Sequence, residues 1–159
     1  MDLAALEEIK RVKYRYLRGM DLKRWDELAD ALAPEATATY GTAALGKPIE
    51  LTGREEIVGF LREKLSGGVI TMHVASHPDI RIDGDTATGT WAFEDTVIAP
   101  EHQVVIRGAA YYEDRYRRDE NDRWLLTHTG YQRIYEAMLS LKDLPTFQLI
   151  SNRWAAPTT

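Results

Sequence analysis

A pair of glycines, Gly67-Gly68, divides the chain into two parts with different hydrophobic periodicity. Before the pair, apolar residues recur every three or four positions, which is the spacing of helices that bury one face. After it, apolar and polar residues alternate over long segments, which is the pattern of strands with one buried face. A block of helices followed by a block of strands predicts the α+β class.

Three helices are predicted before the glycine pair. The first covers residues 3–18, and the second covers residues 23–32 and ends before a proline. The third begins at Thr52, because Thr52 as N-cap and Glu55 three residues later match a capping box. Residues 36–40 predict one short strand between the second and third helices.

Four long strands are predicted after the pair, over residues 69–83, 86–99, 104–118 and 124–135. The first is interrupted near His77-Pro78, and Asp83-Gly84-Asp85 is a tight hairpin signal. Strands this long favour a curved, mostly antiparallel sheet whose concave side the helices close, giving a cone with an interior pocket. Residues 136–144 predict a further helix, and the apolar residues after it are expected to pack on the domain or on a neighbouring subunit.

Length and charge limit the class of protein. The 159 residues fit one domain over residues 1–159. A net charge of −5 argues against nucleic acid and anionic membranes as partners, because both require a basic surface. Cysteine is absent, which excludes disulfides, zinc–thiolate sites and thiol nucleophiles. The sequence lacks a membrane-spanning apolar stretch and a signal-peptide pattern, so a cytoplasmic location is predicted.

A candidate acid–base site ends the first helical pattern, in Tyr16-Leu17-Arg18-Gly19-Met20-Asp21. On an unbroken helix the side chains of Tyr16 and Asp21 would point about 140° apart. We expect Gly19 to end or bend the helix, which would let Asp21 swing back toward Tyr16. The alternative is that Asp21 caps the second helix and Tyr16 is a core residue.

Asp95 and His73 are polar residues on predicted strands. Asp95 shares the alternation of Trp91 and Phe93, so it is predicted to lie on the buried face. The alternatives are a bulge that turns Asp95 to solvent, or a structural hydrogen bond from Asp95 to a turn. His73 lies within an apolar strand, either as a satisfied core residue or as a base. If Asp21 reaches Nδ1 of His73, Nε2 is left to take a proton.

Other catalytic chemistries have less support. Two histidines and two aspartates, His73, His77, Asp21 and Asp95, could supply metal ligands. The chain lacks HxH, HExxH and a dense carboxylate loop, so no metal site is predicted. It also lacks a GxSxG serine and a glycine-rich phosphate loop, which argues against a hydrolase triad and a nucleotide site.

Aromatic and polar residues are predicted to line the pocket. The aromatic candidates are Tyr40, Trp91, Phe93 and Tyr112. A cavity lined in this way suits a flat apolar ligand such as a polycycle or steroid. His128 shares the alternation of Trp124 and Leu126 and is therefore predicted to be interior. Arg133 is either a surface charge or a contact for an anionic group at the cavity mouth.

The order and spacing of several short motifs resemble the SnoaL-like branch of the nuclear transport factor 2 superfamily. Within this branch, the sequence most resembles the bile-acid 7α-dehydratases, and it resembles the scytalone dehydratases more distantly. The resemblance covers roughly residues 6–136 and leaves residues 137–159 as a C-terminal packing segment and tail. The motifs are Tyr16, Arg18-Gly19-Met20-Asp21, Trp25-Asp26-Glu27-Leu28, Thr71-Met72-His73, Pro78-Asp79-Ile80, the run from Asp85 to Trp91, Glu94-Asp95, and the run from Gly130 to Tyr135.

The resemblance implies an α+β cone, commonly a homotrimer, although a dimer is also compatible with the fold. It implies elimination without a cofactor, in which His73 removes a proton and Asp21 orients it. Tyr16 would act as the acid, Asp95 would be a further pocket carboxylate, and Arg133 would contact a charged substrate tail.

The sequence therefore predicts a lyase, specifically a dehydratase acting on an apolar, polycyclic or steroid-like hydroxy-ketone. One alternative is a ketosteroid-type isomerase with Asp95 or Asp21 as base and Tyr16 as hydrogen-bond donor. The other is a small-molecule binding module without turnover.

Overall fold

A computed structural model describes residues 2–156, which form three α-helices and one six-stranded sheet. The helices are α1 (Leu3–Asp21), α2 (Trp25–Ala31) and α3 (Arg54–Lys64). The strands are β1 (Leu32–Gly41), β2 (Ile49–Thr52), β3 (Ile70–Asp83), β4 (Thr86–Ala99), β5 (Val104–Arg118) and β6 (Trp124–Ser140). Short 3₁₀ turns cover Ala43–Leu45, Pro100–His102 and Leu141–Asp143. The α+β prediction is confirmed.

The sheet has the strand order β2-β1-β6-β5-β4-β3. All neighbouring pairs are antiparallel except β1 with β6, which run parallel. The chain from β3 to β6 is a meander, so each long strand pairs with the one before it. Register shifts at residues 76–79 of β3 and twice between β5 and β6 bend these strands into a curved sheet, because bulges increase local twist.

The helices cover the concave face of this sheet, and α1 is the central one. Its buried stripe includes Ile9, Val12, Tyr16 and Met20, which follow the helical spacing seen in the sequence. Asp2 caps the helix by accepting a hydrogen bond from the backbone N–H of Ala5. The three helices and the sheet therefore share one core.

A buried ion pair fastens α1 to the sheet. The Lys13 Nζ lies 2.9 Å from Asp114 Oδ2, and both side chains have no exposed surface. Lys13 also lies 3.3 Å from the ring centroid of Tyr112, and Tyr116 donates its hydroxyl to Asp114 at 2.7 Å. Burial lowers the pKa of Lys13 to about 8, although the charge of Asp114 opposes this shift.

Gly19 does not bend α1, contrary to the prediction. The helix continues to Asp21, and Gly19 instead lies close against Leu28 of α2. A Cβ at this position would lie 2.8 Å from both the Cβ and the backbone nitrogen of Leu28. The glycine therefore allows α2 to fold back tightly against α1.

The long hairpin strands agree with the prediction from alternation. β4 and β5 have the predicted bounds, and β3 begins one residue later than predicted. Gly84 has a φ of +57° in the hairpin turn, and His77 has a φ of +32° at the predicted interruption. The alternation on β4 is also confirmed, because Trp91, Phe93 and Asp95 are all buried.

Two local predictions are wrong, and one strand is not predicted. Residues 136–140 continue β6, because they pair with the start of β5 from Val104 to Gly108, so no helix forms there. Residues 49–52 form β2, which pairs with β1 and was missed. Thr52 does not cap α3: Gly53 is the N-cap residue, and Glu56 accepts from the Thr52 backbone N–H.

The C-terminal segment runs back over the turn after α3. Asn152 donates its side-chain amide to the Gly68 carbonyl, and Trp154 lies under the Lys23 ammonium at 4.9 Å. Phe147 and Ile150 remain exposed. Ala155 and Ala156 complete the described part of the predicted tail, and its last three residues lie outside the described residues.

None of the helices within residues 2–156 combines the length and hydropathy that crossing a membrane requires.

The buried ion pair predicts a large stability effect. Lys13→Met leaves Asp114 buried without its cation, and we expect it to lower the free energy of unfolding by about 3–5 kcal/mol in urea denaturation. Lys13→Met combined with Asp114→Asn should recover part of this loss, because no isolated charge remains. Lys10→Met, which removes an exposed pair with Glu7, is the matched control and should change little. Equal effects of the two lysine variants would contradict the assigned role.

Candidate active site

A cavity of about 520 Å³ lies between the concave face of the sheet and the helices α1 and α3. Most of its wall is apolar. Its charged or ionisable lining residues within the described chain are Lys64, His73, Asp95, His102 and Arg133, together with the phenols of Tyr40, Tyr112 and Tyr131. The apolar part of the wall is contributed by residues such as Met20, Phe60, Leu61, Leu65, Val97 and Ile106.

Asp21 and His73 form a hydrogen-bonded pair at this cavity. The distance from His73 Nδ1 to Asp21 Oδ1 is 2.6 Å, and both side chains are only 10% exposed. Asp21 Oδ1 also accepts from the Thr71 hydroxyl at 2.8 Å, and Oδ2 accepts from the His73 backbone N–H at 2.9 Å. A carboxylate only accepts, so Nδ1 carries the proton and Nε2 has a lone pair for an external proton.

Both oxygens of Asp21 are occupied by β3. The prediction that Asp21 caps the second helix is therefore wrong: Arg24 is the N-cap residue of α2 and makes no side-chain cap bond. Asp21 does not turn back toward Tyr16 either. The two side chains point to different sides of an unbroken helix, Tyr16 toward β1 and Asp21 toward β3.

Asp95 is opposite His73 in the β3–β4 register. It is buried and lies on the interior face, as its alternation predicts. Arg133 holds both of its oxygens, with Nη1 2.5 Å from Oδ1 and Nη2 2.9 Å from Oδ2. Burial alone would lower the pKa of Arg133, but the hydrogen bonds and charge of Asp95 raise it overall, so the guanidinium stays charged.

Tyr16 and Tyr40 form a pair of hydroxyls 2.5 Å apart. Tyr40 lines the cavity, whereas Tyr16 has no exposed surface and lies behind it. Burial raises the pKa of Tyr16 well above its usual value, and the neighbouring phenols Tyr40 and Tyr112 raise it further. Burial also raises the pKa of Tyr40. Both phenols therefore remain protonated at neutral pH and above, as a proton donor requires.

Stacked aromatic rings build one side of the cavity. Tyr112 and Tyr131 line it, and their rings meet edge to face with centroids 5.3 Å apart. Phe93 lies behind them, with its ring 4.3 Å from Tyr112 and 6.3 Å from His73. The prediction that Phe93 lines the cavity is therefore wrong, because Phe93 supports the wall through Tyr112 and Tyr131.

The predictions that Trp91 and His128 line the cavity are wrong. Trp91 is buried, but its indole N–H bonds the Tyr116 hydroxyl in the core. His128 lies on the other face of the sheet, where Nδ1 is 2.7 Å from the Thr37 hydroxyl oxygen. A bulge at Thr127 reverses the alternation of β6, so His128 no longer shares the face of Leu126.

Sequence reasoning assigns no role to three residues of this site. Thr71 fixes Asp21, Glu136 binds Arg133 Nε at 3.2 Å, and the Thr42 hydroxyl lies 2.5 Å from the hydroxyl of Tyr131 in the cavity wall. Thr71 has a recognisable signal, because it lies two positions before His73 and therefore on the same face of its strand. Glu136 begins a stretch whose pattern predicts a helix, so its position on the sheet is not expected from the sequence.

Among residues 2–156, no group of three or more histidine, aspartate or glutamate side chains is arranged to hold a metal ion.

The chain matches the model of the SnoaL-like domain family over residues 1–130, and it belongs to this family. An uncharacterised protein of Mycobacterium tuberculosis is 27% identical over 134 residues, which are 83% of this chain and 87% of that protein. A Mycobacterium bovis protein has the same identity and coverage.

Solved structures share the fold at low sequence identity. Hexachlorocyclohexane dehydrochlorinase LinA-type3 from Novosphingobium barchaimii has a TM-score of 0.75 at 18% identity, over 87% of this chain and 92% of that one. A protein of Novosphingobium aromaticivorans provisionally named scytalone dehydratase has a TM-score of 0.74 at 15% identity, over 86% of this chain and 88% of that one. The chain thus shares the α+β cone fold of these proteins.

The buried phenols predict how stability depends on pH. Unfolded tyrosines ionise near pH 10.0, whereas burial keeps Tyr16 and Tyr40 protonated in the folded state. Unfolding above that pH therefore releases protons, so this part of the stability is present below pH 10.0 and is lost as the pH rises. Urea denaturation across this range should show the decline, and Tyr16→Phe should make it shallower. An unchanged slope in Tyr16→Phe would contradict the assignment.

Proposed function

We propose that this protein is a cofactor-independent lyase that removes water from an apolar, polycyclic or steroid-like hydroxy-ketone. The observation that carries the proposal is the Asp21–His73 pair at the wall of an apolar cavity. Nε2 of His73 has no hydrogen-bond partner within residues 2–156, so it is available to a ligand. A cavity of this size and lining suits a small apolar molecule with few polar groups.

His73 is the general base in this proposal. Nε2 takes a proton from the carbon beside the substrate carbonyl, and Asp21 stabilises the imidazolium that forms. Because Thr71 and the His73 backbone also bind Asp21, the carboxylate is fixed before the substrate arrives. This preorganisation avoids reorientation of the pair during proton transfer.

Tyr40 is the residue that we place against the leaving hydroxyl. It lines the cavity, and Tyr16 supports it from behind through the 2.5 Å contact. As the C–H and C–O bonds break and the C=C bond forms, Tyr40 donates its proton to the leaving oxygen and water departs. The proton on His73 then restores the phenol, so the enzyme returns to its starting state without net proton uptake.

The names of two structural neighbours support an elimination. The LinA-type3 protein is named as a dehydrochlorinase, and another neighbour carries the provisional name scytalone dehydratase. Both names describe loss of a small molecule from a carbon skeleton. The ketosteroid-type isomerase is less compatible with the geometry, because both oxygens of Asp95 bind Arg133 and both oxygens of Asp21 bind β3.

The proposed base predicts a strong loss of activity. His73→Ala and Asp21→Asn should each reduce turnover of a hydroxy-ketone substrate by about 10²–10⁴-fold, the usual range for general acid–base catalysis. Circular dichroism should confirm that both variants remain folded. His77→Ala, at an exposed histidine of the same strand, is the matched control and should keep full activity.

Product analysis separates the candidate functions. The dehydratase releases water and forms a new double bond, an isomerase product keeps the mass of the substrate, and a binding module gives thermal stabilisation without product. Full activity of His73→Ala would contradict the proposed mechanism.

We also propose that the protein is a homo-oligomer, with a trimer favoured over a dimer. The face of the sheet that points away from the cavity carries several exposed apolar residues, including Met72, Val74, Tyr111 and Ile134. A face of this kind is rarely left in contact with water, and a second copy of the chain is the occupant we assign.

A charge on this face should prevent assembly. Ile134 is 69% exposed, so Ile134→Glu should leave the monomer folded and lower the mass measured by light scattering toward that of one chain. Thr88→Glu, at an exposed polar position on the same sheet, is the control and should not change the mass. A wild-type protein that is monomeric at micromolar concentration would refute the oligomer.

A further inference from the structure

We infer that Glu136 makes the cavity selective for substrates that are uncharged where they meet Arg133. The inference deepens the proposed function, because it names the charge class of the molecule that the cavity accepts. It corrects the prediction that Arg133 holds an anionic substrate tail. The basis is an arrangement of one guanidinium between two carboxylates, all three on the interior face of the sheet.

The arrangement follows the strand register. Asp95 pairs with Gly108, and Gly108 pairs with Glu136, so the three residues form a row across β4, β5 and β6. The guanidinium of Arg133 lies over Gly108, where a Cβ would be 2.6 Å from Nη1 and 3.0 Å from Cζ. The missing side chain at Gly108 therefore provides the space in which Arg133 reaches Asp95.

Arg133 has few donors left for a ligand. Nη1 and Nη2 bind Asp95, and Nε binds Glu136 at 3.2 Å. The side chains of Arg133, Asp95 and Glu136 are 8%, 4% and 10% exposed. Asp95 and Arg133 line the cavity, and Glu136 binds Arg133 from outside that lining. With two carboxylates around one cation, the group carries a net negative formal charge beside the cavity.

A ligand carboxylate or phosphate placed here would lose its hydration and face this negative charge. Juxtaposed like charges in a desolvated site are strongly unfavourable. Lys64 is a second cation of the lining, but its side chain is 45% exposed and lies 3.2 Å from Glu63, so water and this carboxylate screen its charge. An uncharged hydroxyl or ketone meets none of this repulsion.

Glu136 also holds the loop that contains Ala44 and Leu45 in the cavity wall. Its second oxygen accepts from the Ala44 backbone N–H at 2.7 Å, and Thr42 in the same loop contacts the Tyr131 hydroxyl. The loop places Ala44 and Leu45 in the cavity wall. The same carboxylate thus pairs with the charge of Arg133 and positions an apolar surface beside it. Both effects favour an uncharged ligand.

The test uses two probes with one skeleton, lithocholic acid and its methyl ester, and measures binding by calorimetry without turnover. We expect the wild-type protein to bind the ester at least about tenfold more tightly than the acid. Glu136→Gln removes one negative charge, so the ratio of the two affinities should fall by about tenfold. Glu120→Gln makes the same charge change in an exposed turn and should leave the ratio unchanged.

Equal wild-type affinity for acid and ester would overturn the inference, and so would an unchanged ratio in Glu136→Gln. The wild-type ratio requires no variant, so it tests the inference even if Glu136→Gln fails to fold. Neither binding measurement needs catalysis. The charge selectivity can therefore be tested even if the protein proves not to be a dehydratase, and a failed binding test would leave the dehydratase proposal standing.

Discussion

The carboxylate of Asp21 holds the end of α1 against β3, and the geometry of the candidate site depends on this contact. β3 is an edge strand, so the His73 backbone N–H has no partner from a neighbouring strand on that side. Asp21 satisfies this N–H and, with its other oxygen, the Thr71 hydroxyl and the His73 ring. One side chain therefore covers the sheet edge, fixes the helix and selects the tautomer of the histidine.

The rest of the fold makes this contact possible. Lys13 and Asp114 fix α1 two turns earlier, on the side of the helix that faces β5 and β6. Tyr16 then points to β1 and Asp21 to β3, so a straight helix reaches both walls of the cavity. Gly19 lets α2 pack close without disturbing that path. The polar groups needed for acid–base chemistry thus come from three different elements around one apolar space.

The sequence predicted the parts of the structure that depend on local pattern. Alternation located the hairpin strands and the buried position of Asp95, and helical spacing located α1. It could not show where β6 ends, because residues 136–140 become a strand only by pairing with β5. A bulge at Thr127 reversed the alternation and moved His128 to the opposite face. Gly19 was misinterpreted because its reason, the proximity of Leu28, is a tertiary contact.

If Asp21 prepares His73 as a base, the position of the proton on the His73 ring will show it. Long-range proton–nitrogen NMR spectra of the histidine rings distinguish a protonated from an unprotonated ring nitrogen. In the ligand-free protein, the neutral His73 ring should carry its proton on Nδ1 and none on Nε2. A neutral ring protonated at Nε2 would contradict this role of Asp21, because that nitrogen could not then accept a proton from a substrate.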